Sequence, residues 1–234
     1  MNNCYLLKLD ASQSSQSPDD HSFVGGTPKL PKGASIPQCK LCGAEESFFF
    51  QVGLPNGSYL DGMSLAVFAC TSCADENHLI PPMLSGQLKG ADIPQGFLES
   101  YQTNFRFLVF ETVSATLYEK YREKVKFKRF RLDSVVVNPD VDDNKIGGNP
   151  NWLLEDESPK LYGGKTPMFF LIQLLQGFQF EIHTNASRQI ELGLGGSPQP
   201  SPLTYYQLFN GNKIFLFGVQ NREQPLVYAI TQVD

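Results

Sequence analysis

The apolar residues of this chain fall in short runs, many alternating with polar positions and nearly all bounded by glycine, proline or asparagine. A period of two marks strands with one buried face, whereas a helix repeats its apolar face every three to four positions. The pattern predicts strands over 5–9, 47–52 ("SFFFQV"), 64–70 ("SLAVFAC"), 104–112 ("NFRFLVFET") and 124–132 ("KVKFKRFRL"), the last continuing through "SVVVN". Further strands are predicted over 169–173 ("FFLIQ"), 179–183 ("QFEIH"), 205–209 ("YYQLF") and 213–219 ("KIFLFGV"). Asn210-Gly211 between the last two is a strong hairpin signal. Two stretches read as helix: 93–102, with Asp92 as N-cap and Pro94 in the first turn, and 116–124, opened by a Thr116 to Glu119 capping box. The serine-rich, apolar-poor stretch 11–22 reads as an exposed loop.

The runs repeat. Gly25-Gly26-x-Pro28 leads to Phe48-Phe49-Phe50-Gln51 and a strand ending at Cys70. Gly147-Gly148-x-Pro150 leads to Phe169-Phe170-Leu171-Ile172-Gln173 and then to "QFEIH", and a third Gly-Gly-x-Pro (195–198) precedes "YYQLF". Glycine reaches positive φ without a Cβ clash, and the proline that follows fixes φ and extends the residue before it, so the motif makes a rigid corner. A phosphate cradle needs glycine amides at a helix N-terminus, but here prolines follow and neither nucleotide-binding glycine motif occurs. The expected fold is α+β, mainly β: a duplicated β-unit with Gly-Gly-x-Pro corners, spaced roughly 120 residues apart, and few short helices. The first unit covers 1–137 and the second 138–234, in one compact pseudo-duplicated domain. Their acidic junction, 138–144, fails as a calcium loop counted from Asp140, because Lys145 and Asn151 stand where glycine and glutamate are needed.

Composition supports a sheet-rich core: 41% of residues are hydrophobic, and 18 Phe and 9 Tyr stand against one Trp. No apolar run reaches the ~18–20 residues of a membrane span. The start lacks a basic n-region and a long apolar h-region, so neither secretion nor a membrane partner is expected, and the expected location is cytoplasmic. Four of the five cysteines form Cys39-x-x-Cys42-Gly43 and Cys70-x-x-Cys73, the spacing of two zinc knuckles. Together they predict one closed, structural zinc ion per chain, ahead of an iron–sulfur centre, a redox pair or disulfides. His78 is a substitute ligand that four cysteines make redundant, and Cys4 reads as a small buried residue. No nucleophile or metalloprotease motif surrounds His21, His78 or His183, and Glu45-Glu46 and Glu155/Glu157 read as solvated charge, so no catalysis is expected.

The net charge is −5, yet seven basic residues lie between Lys120 and Arg131 against a single acid, Glu123. One reading has these lysines guarding an exposed sheet edge. The other is a patch for an acidic partner or RNA, with Phe127 and Phe130 interleaved.

"FVGGTPKLP", "FFFQV", "NKIGGNPNW" and "FFLIQL" together resemble the YwqG-like family of bacterial proteins, over roughly 23–221. The inserted "CKLCG" and "FACTSC" are similar to a zinc-bearing branch of it. More distantly, Gly-Gly-x-Pro-x-Trp (147–152) with CxxC pairs is similar to the programmed-cell-death-2 and Tsr4 proteins, which chaperone a ribosomal protein. There the chain differs, since both CxxC pairs flank the first repeat and none follows Trp152. The resemblance implies a duplicated, β-rich α+β fold without established enzymology. Some relatives lie near polymorphic-toxin genes and are suspected immunity proteins, which implies binding to another protein, a toxin or a client. The function expected is therefore a non-catalytic, zinc-stabilised protein binder. An RNA-associated zinc protein using 120–131 is the second reading, and an enzyme of unrecognised type the third.

Overall fold

The computed structural model describes residues 3–13, 15–84, 86, 89–135 and 142–234. The predicted continuation of the basic strand through 138, the unit boundary at 137/138 and Asp140 lie outside them. The strands of the first half are β1 (Cys4–Asp10), β2 (Phe23–Val24), β3 (Lys29–Pro31), β4 (Ser47–Gly53), β5 (Met63–Ala69), β6 (Asp92–Ile93), β7 (Phe105–Glu111) and β8 (Ala115–Leu117). Those that follow are β9 (Lys128–Val135), β10 (Lys145–Gly147), β11 (Leu161–Tyr162), β12 (Thr166–Leu174), β13 (Phe180–Glu181), β14 (Ile190–Leu192), β15 (Pro198–Pro200), β16 (Tyr205–Tyr206), β17 (Lys213–Val219) and β18 (Val227–Gln232). The fold is mainly β with one short helix, α1 (Phe97–Ser100), and among the described residues no helix is long and apolar enough to cross a membrane.

One mixed sheet runs β18-β17-β12-β10-β1-β9-β2-β4-β5-β7, and β11 joins β12 to β6. Among the described residues only the β6–β11 pairing is parallel. The order is the same read from either end. β2-β4-β5-β7 mirrors β10-β12-β17-β18, and β1 and β9 pair at the centre over seven residues. By its place in the sheet β9 is the counterpart of β1 and leads the second unit, ahead of the boundary expected at 137/138. On that count each leading strand has crossed over, β1 to β10 of the second unit and β9 to β2 of the first.

The equivalence reaches single bonds. The register shifts between Phe48 and Phe50 on β4 and between Phe170 and Ile172 on β12, an irregularity at the same place in each unit. The buried Gln51 side chain accepts the Lys29 N–H (3.2 Å), and the buried Gln173 accepts the Asn151 N–H (2.8 Å). Gly25, Gly26, Gly147 and Gly148 take φ of 57°, 67°, 68° and 69°. A Cβ on Gly25 would lie 2.4 Å from the Lys126 carbonyl oxygen, and one on Gly147 would lie 2.3 Å from that of Asn3. Only glycine permits each corner to press against the crossed-over segment. The third Gly-Gly-x-Pro is different. It forms the exposed turn of the β14–β15 hairpin, where a Cβ on Gly195 would meet nothing within 4 Å.

The main core draws on both units, with Phe49, Phe50 and Phe105 packing alongside Ile172, Phe180 and Phe215. A second cluster, including Phe23, Phe48, Phe68 and Phe110, lies behind β4 and β5 with Tyr118 and Tyr121 against it. β4 and β5 are thus buried on both faces, which explains their unbroken apolar runs.

Four expectations are corrected. The helix at 93–102 shrinks to the single turn α1, entered from Gly96 at φ 85°, and Asp92 belongs to β6. The helix at 116–124 is replaced by β8 and a turn. There Tyr121 packs on the second cluster and its hydroxyl accepts the Phe48 N–H (2.9 Å), an arrangement extended chain reaches. Asn210-Gly211 does not join a hairpin, since β16 pairs with β13 and β17 with β12 and β18. Instead Phe209 and Asn210 take φ of 49° and 58°, which turns Phe209 inward to pack 5.2 Å from Phe105. Burying the ring gains about 1.5–3 kcal/mol against roughly 1–2 kcal/mol for left-handed Phe209, and Asn210 is a residue type that enters that region routinely. Lastly, the basic strand guards no edge, because β9 lies between β1 and β2. Period-two alternation reports a strand's faces, so a central strand with one wet face looks like an edge strand.

Candidate metal centre

Cys39 and Cys42 sit in a tight loop leading to β4. The Cys39 N–H reaches the Ala44 carbonyl (2.9 Å), the Gly43 N–H reaches that of Cys39 (2.9 Å), and Gly43 stands at φ 75°. Gln38 and Glu45 pair across the base of the loop. Cys70 and Cys73 follow β5 directly, where the Ser72 amide points at the Cys70 sulfur (3.3 Å). The turn before β7 braces both loops: Thr103 accepts the Lys40 N–H (2.9 Å) and Asn104 the Cys70 N–H (2.7 Å).

The fold thereby brings all four cysteines together, their Sγ atoms within 4.8 Å of one another. Sγ–Sγ separations are 3.8 Å for Cys39–Cys73, 3.7 Å for Cys42–Cys70 and 3.5 Å for Cys70–Cys73. A tetrahedron with metal–sulfur bonds of about 2.3 Å has edges of about 3.8 Å, so this spacing fits four thiolates around one ion. It is too long for a disulfide, whose sulfurs are about 2.05 Å apart. Cys39 and Cys70 are buried, Cys73 is half-buried and Cys42 is exposed. These residues lie close enough to hold a metal ion.

The thiols are unequal. Burial pushes Cys70 up to about 12 and raises Cys73, aided at Cys73 by hydrogen bonds to Cys70 and Cys42. At Cys42 burial also raises the pKa, but the Ala44 amide and the other three thiols outweigh it and the net shift is downward. The Cys42 thiolate is thus favoured, while Cys70 and Cys73 need a cation to ionise. A divalent metal supplies it in exchange for protons.

His78 is not in the cluster; its Nδ1 pairs with Asp75 Oδ1 at 2.7 Å. Cys4 is buried in β1, as expected, and burial raises its pKa. Glu46 differs from the solvated charge expected of it. It is fully buried, neither carboxyl oxygen has a hydrogen-bond partner among the described residues, and burial lifts it to about 7 despite Arg106 and Lys40. Also hidden in the sequence was a polar relay beside the second knuckle: Lys124 donates to Ser47 Oγ (3.0 Å), which lies 2.6 Å from Thr71 Oγ1.

The basic segment is largely paired. Lys126 and Lys128 meet Glu181, Arg129 meets Asp20, and Arg131 meets Asp133.

The cysteines also hold down a distant element. The Ile190 N–H, at the base of the β14–β15 hairpin, bonds to the Thr71 carbonyl inside the second CxxC (3.0 Å). β14 is half-buried, whereas the turn and β15 are exposed, with Leu194 fully in solvent at the tip. No protein-family model matches the chain, and no curated protein matches it.

Proposed function

We propose that this chain is a non-catalytic protein binder whose binding element is positioned by a structural zinc ion on Cys39, Cys42, Cys70 and Cys73. The observation that carries the reading is the bond from Ile190 to Thr71: it ties a projecting, apolar-tipped hairpin to the cysteine loop. A closed tetrathiolate has no open position for substrate, and its contribution is to rigidify loops. A rigid hairpin binds with less ordering entropy than a free one. The partner class is a toxin or a client protein, and the acidic chain suits a basic one. The ion pairs on 126–131 weigh against the RNA reading, because paired cations release few counterions.

Capture from a lysate of the host, with wild type and Leu194→Asp, tests the reading. A protein should co-purify through high salt and be lost, by at least about tenfold, in the variant. Capture of nucleic acid alone, released by salt from both, contradicts it.

A further inference from the structure

A cleft of about 280 Å³ opens between the second cysteine loop and β14. Asp75 and His78 line it from the cysteine loop, Glu191 and Leu192 from β14, and Phe209 and Asn210 also border it. Its volume falls just below the ~300–1,000 Å³ range of small-molecule pockets, so it has room for a side chain or two. No lysine or arginine lines it, while Asp75 and Glu191 both do. A divalent ion on four thiolates would add a further net negative charge beside it.

The ladder of the hairpin shows what β14 offers this cleft. In an antiparallel pair, hydrogen-bonded and non-hydrogen-bonded positions alternate. The Ser201 N–H bonds to Gln189 (2.8 Å) and the Gly193 N–H to Ser197 (2.9 Å), which fixes these as bonded positions. Ile190 opposite Pro200 and Leu192 opposite Pro198 are then non-bonded, with their amides and carbonyls turned outward. Ile190 spends its outward N–H on Thr71. Leu192, two residues along the same edge, turns its N–H and C=O the same way, over the cleft. On the opposite edge Pro198 and Pro200 have no N–H to offer. One edge of the hairpin is closed to strand addition, and the other faces an acidic cleft.

We infer that the β14 edge receives an extended, basic peptide segment of the partner, which adds a strand at Leu192 and places a lysine or arginine between Asp75 and Glu191. This deepens the protein-binding reading above and rests on it. Backbone bonds to an edge supply affinity and the alternate side-chain pocket supplies specificity.

The probe is a fluorescein-labelled octapeptide of alternating lysine and threonine, compared with its glutamate–threonine counterpart and with a form N-methylated at alternate residues. Anisotropy on the full, metal-loaded chain should show binding of the lysine peptide, none of the glutamate peptide, and a loss of roughly tenfold on N-methylation, which keeps charge but removes edge donors. Leu192→Pro should cost a similar factor with metal content unchanged, and amide exchange at Leu192 should slow when the lysine peptide is added. Equal binding of the N-methylated peptide, no binding of the lysine peptide, or a chain that self-associates through this edge overturns the inference. A lysate partner retained by Leu192→Pro but lost in Leu194→Asp leaves the protein-binding reading standing and removes only the cleft.

Discussion

Gly147 and Gly195 look alike in the sequence, each within a Gly-Gly-x-Pro, but their surroundings predict opposite sensitivities. A methyl on Gly147 meets left-handed φ and a carbonyl oxygen at 2.3 Å; on Gly195 it meets open space. Gly147→Ala should therefore lower stability by roughly 2–5 kcal/mol, combining left-handed strain with overpacking. Gly195→Ala should change it by less than about 0.5 kcal/mol. Urea denaturation checks both, and equal midpoints would show the corner is not pressed against the crossed-over strand. Glu46 makes a different prediction at this scale. Its native pKa, about 7, lies above the ordinary 4.5, so between those values the folded chain holds a proton that the unfolded chain has released. Stability therefore falls as pH rises from about 4.5 to about 7 and is level above. The fall is at most about 3 kcal/mol. Glu46→Gln, neutral throughout, should lose that slope in denaturation curves at pH 5 and pH 8; parallel behaviour of the two proteins would mean the carboxyl is hydrated.

At the scale of elements, the end strand β18 shows how the open sheet manages an edge. The Tyr101 hydroxyl donates to the Val227 carbonyl (2.7 Å) and accepts the Ala229 N–H (3.2 Å), and Gln232 accepts the Leu153 and Leu154 amides (2.9 and 3.1 Å). Tyr101→Phe leaves a buried donor and acceptor unpaired, and should destabilise by about 1–3 kcal/mol in chemical denaturation. A loss below about 0.3 kcal/mol would show that water reaches that edge. None of this was legible in the sequence: Tyr101 lies in a predicted helix, and no strand is predicted over "VYAITQ". The strands β4, β5, β7, β12 and β17 were legible, because long apolar runs have few alternatives in a sheet-rich chain. Helical signals at 116–124 were local preferences of about 1 kcal/mol, and burial of Tyr118 and Tyr121 outweighed them.

The whole molecule carries its duplication further than the repeated motifs revealed. Gly-Gly-x-Pro and Phe-x-x-Gln marked two units, but the exchange of β1 and β9 between them depends on strand order, which periodicity does not encode. The metal centre was the most legible part of the site, since two CxxC pairs carry their own geometry. Its supports were not legible: Thr103, Asn104 and Thr71 act through backbone carbonyls that any residue has. The cysteine loops belong to the first unit alone, so the cluster distinguishes the two halves, and the bond from Ile190 to Thr71 ties the hairpin of the second to the first. Zinc on these four thiolates is the claim on which the function rests. Elemental analysis of reduced, purified protein, paired with titration of reactive thiols before and after chelation, tests it most directly. About one zinc per chain, with Cys39, Cys42, Cys70 and Cys73 unreactive until the chelator removes it, is the predicted result. A folded chain with negligible metal and those four thiols freely reactive would contradict it.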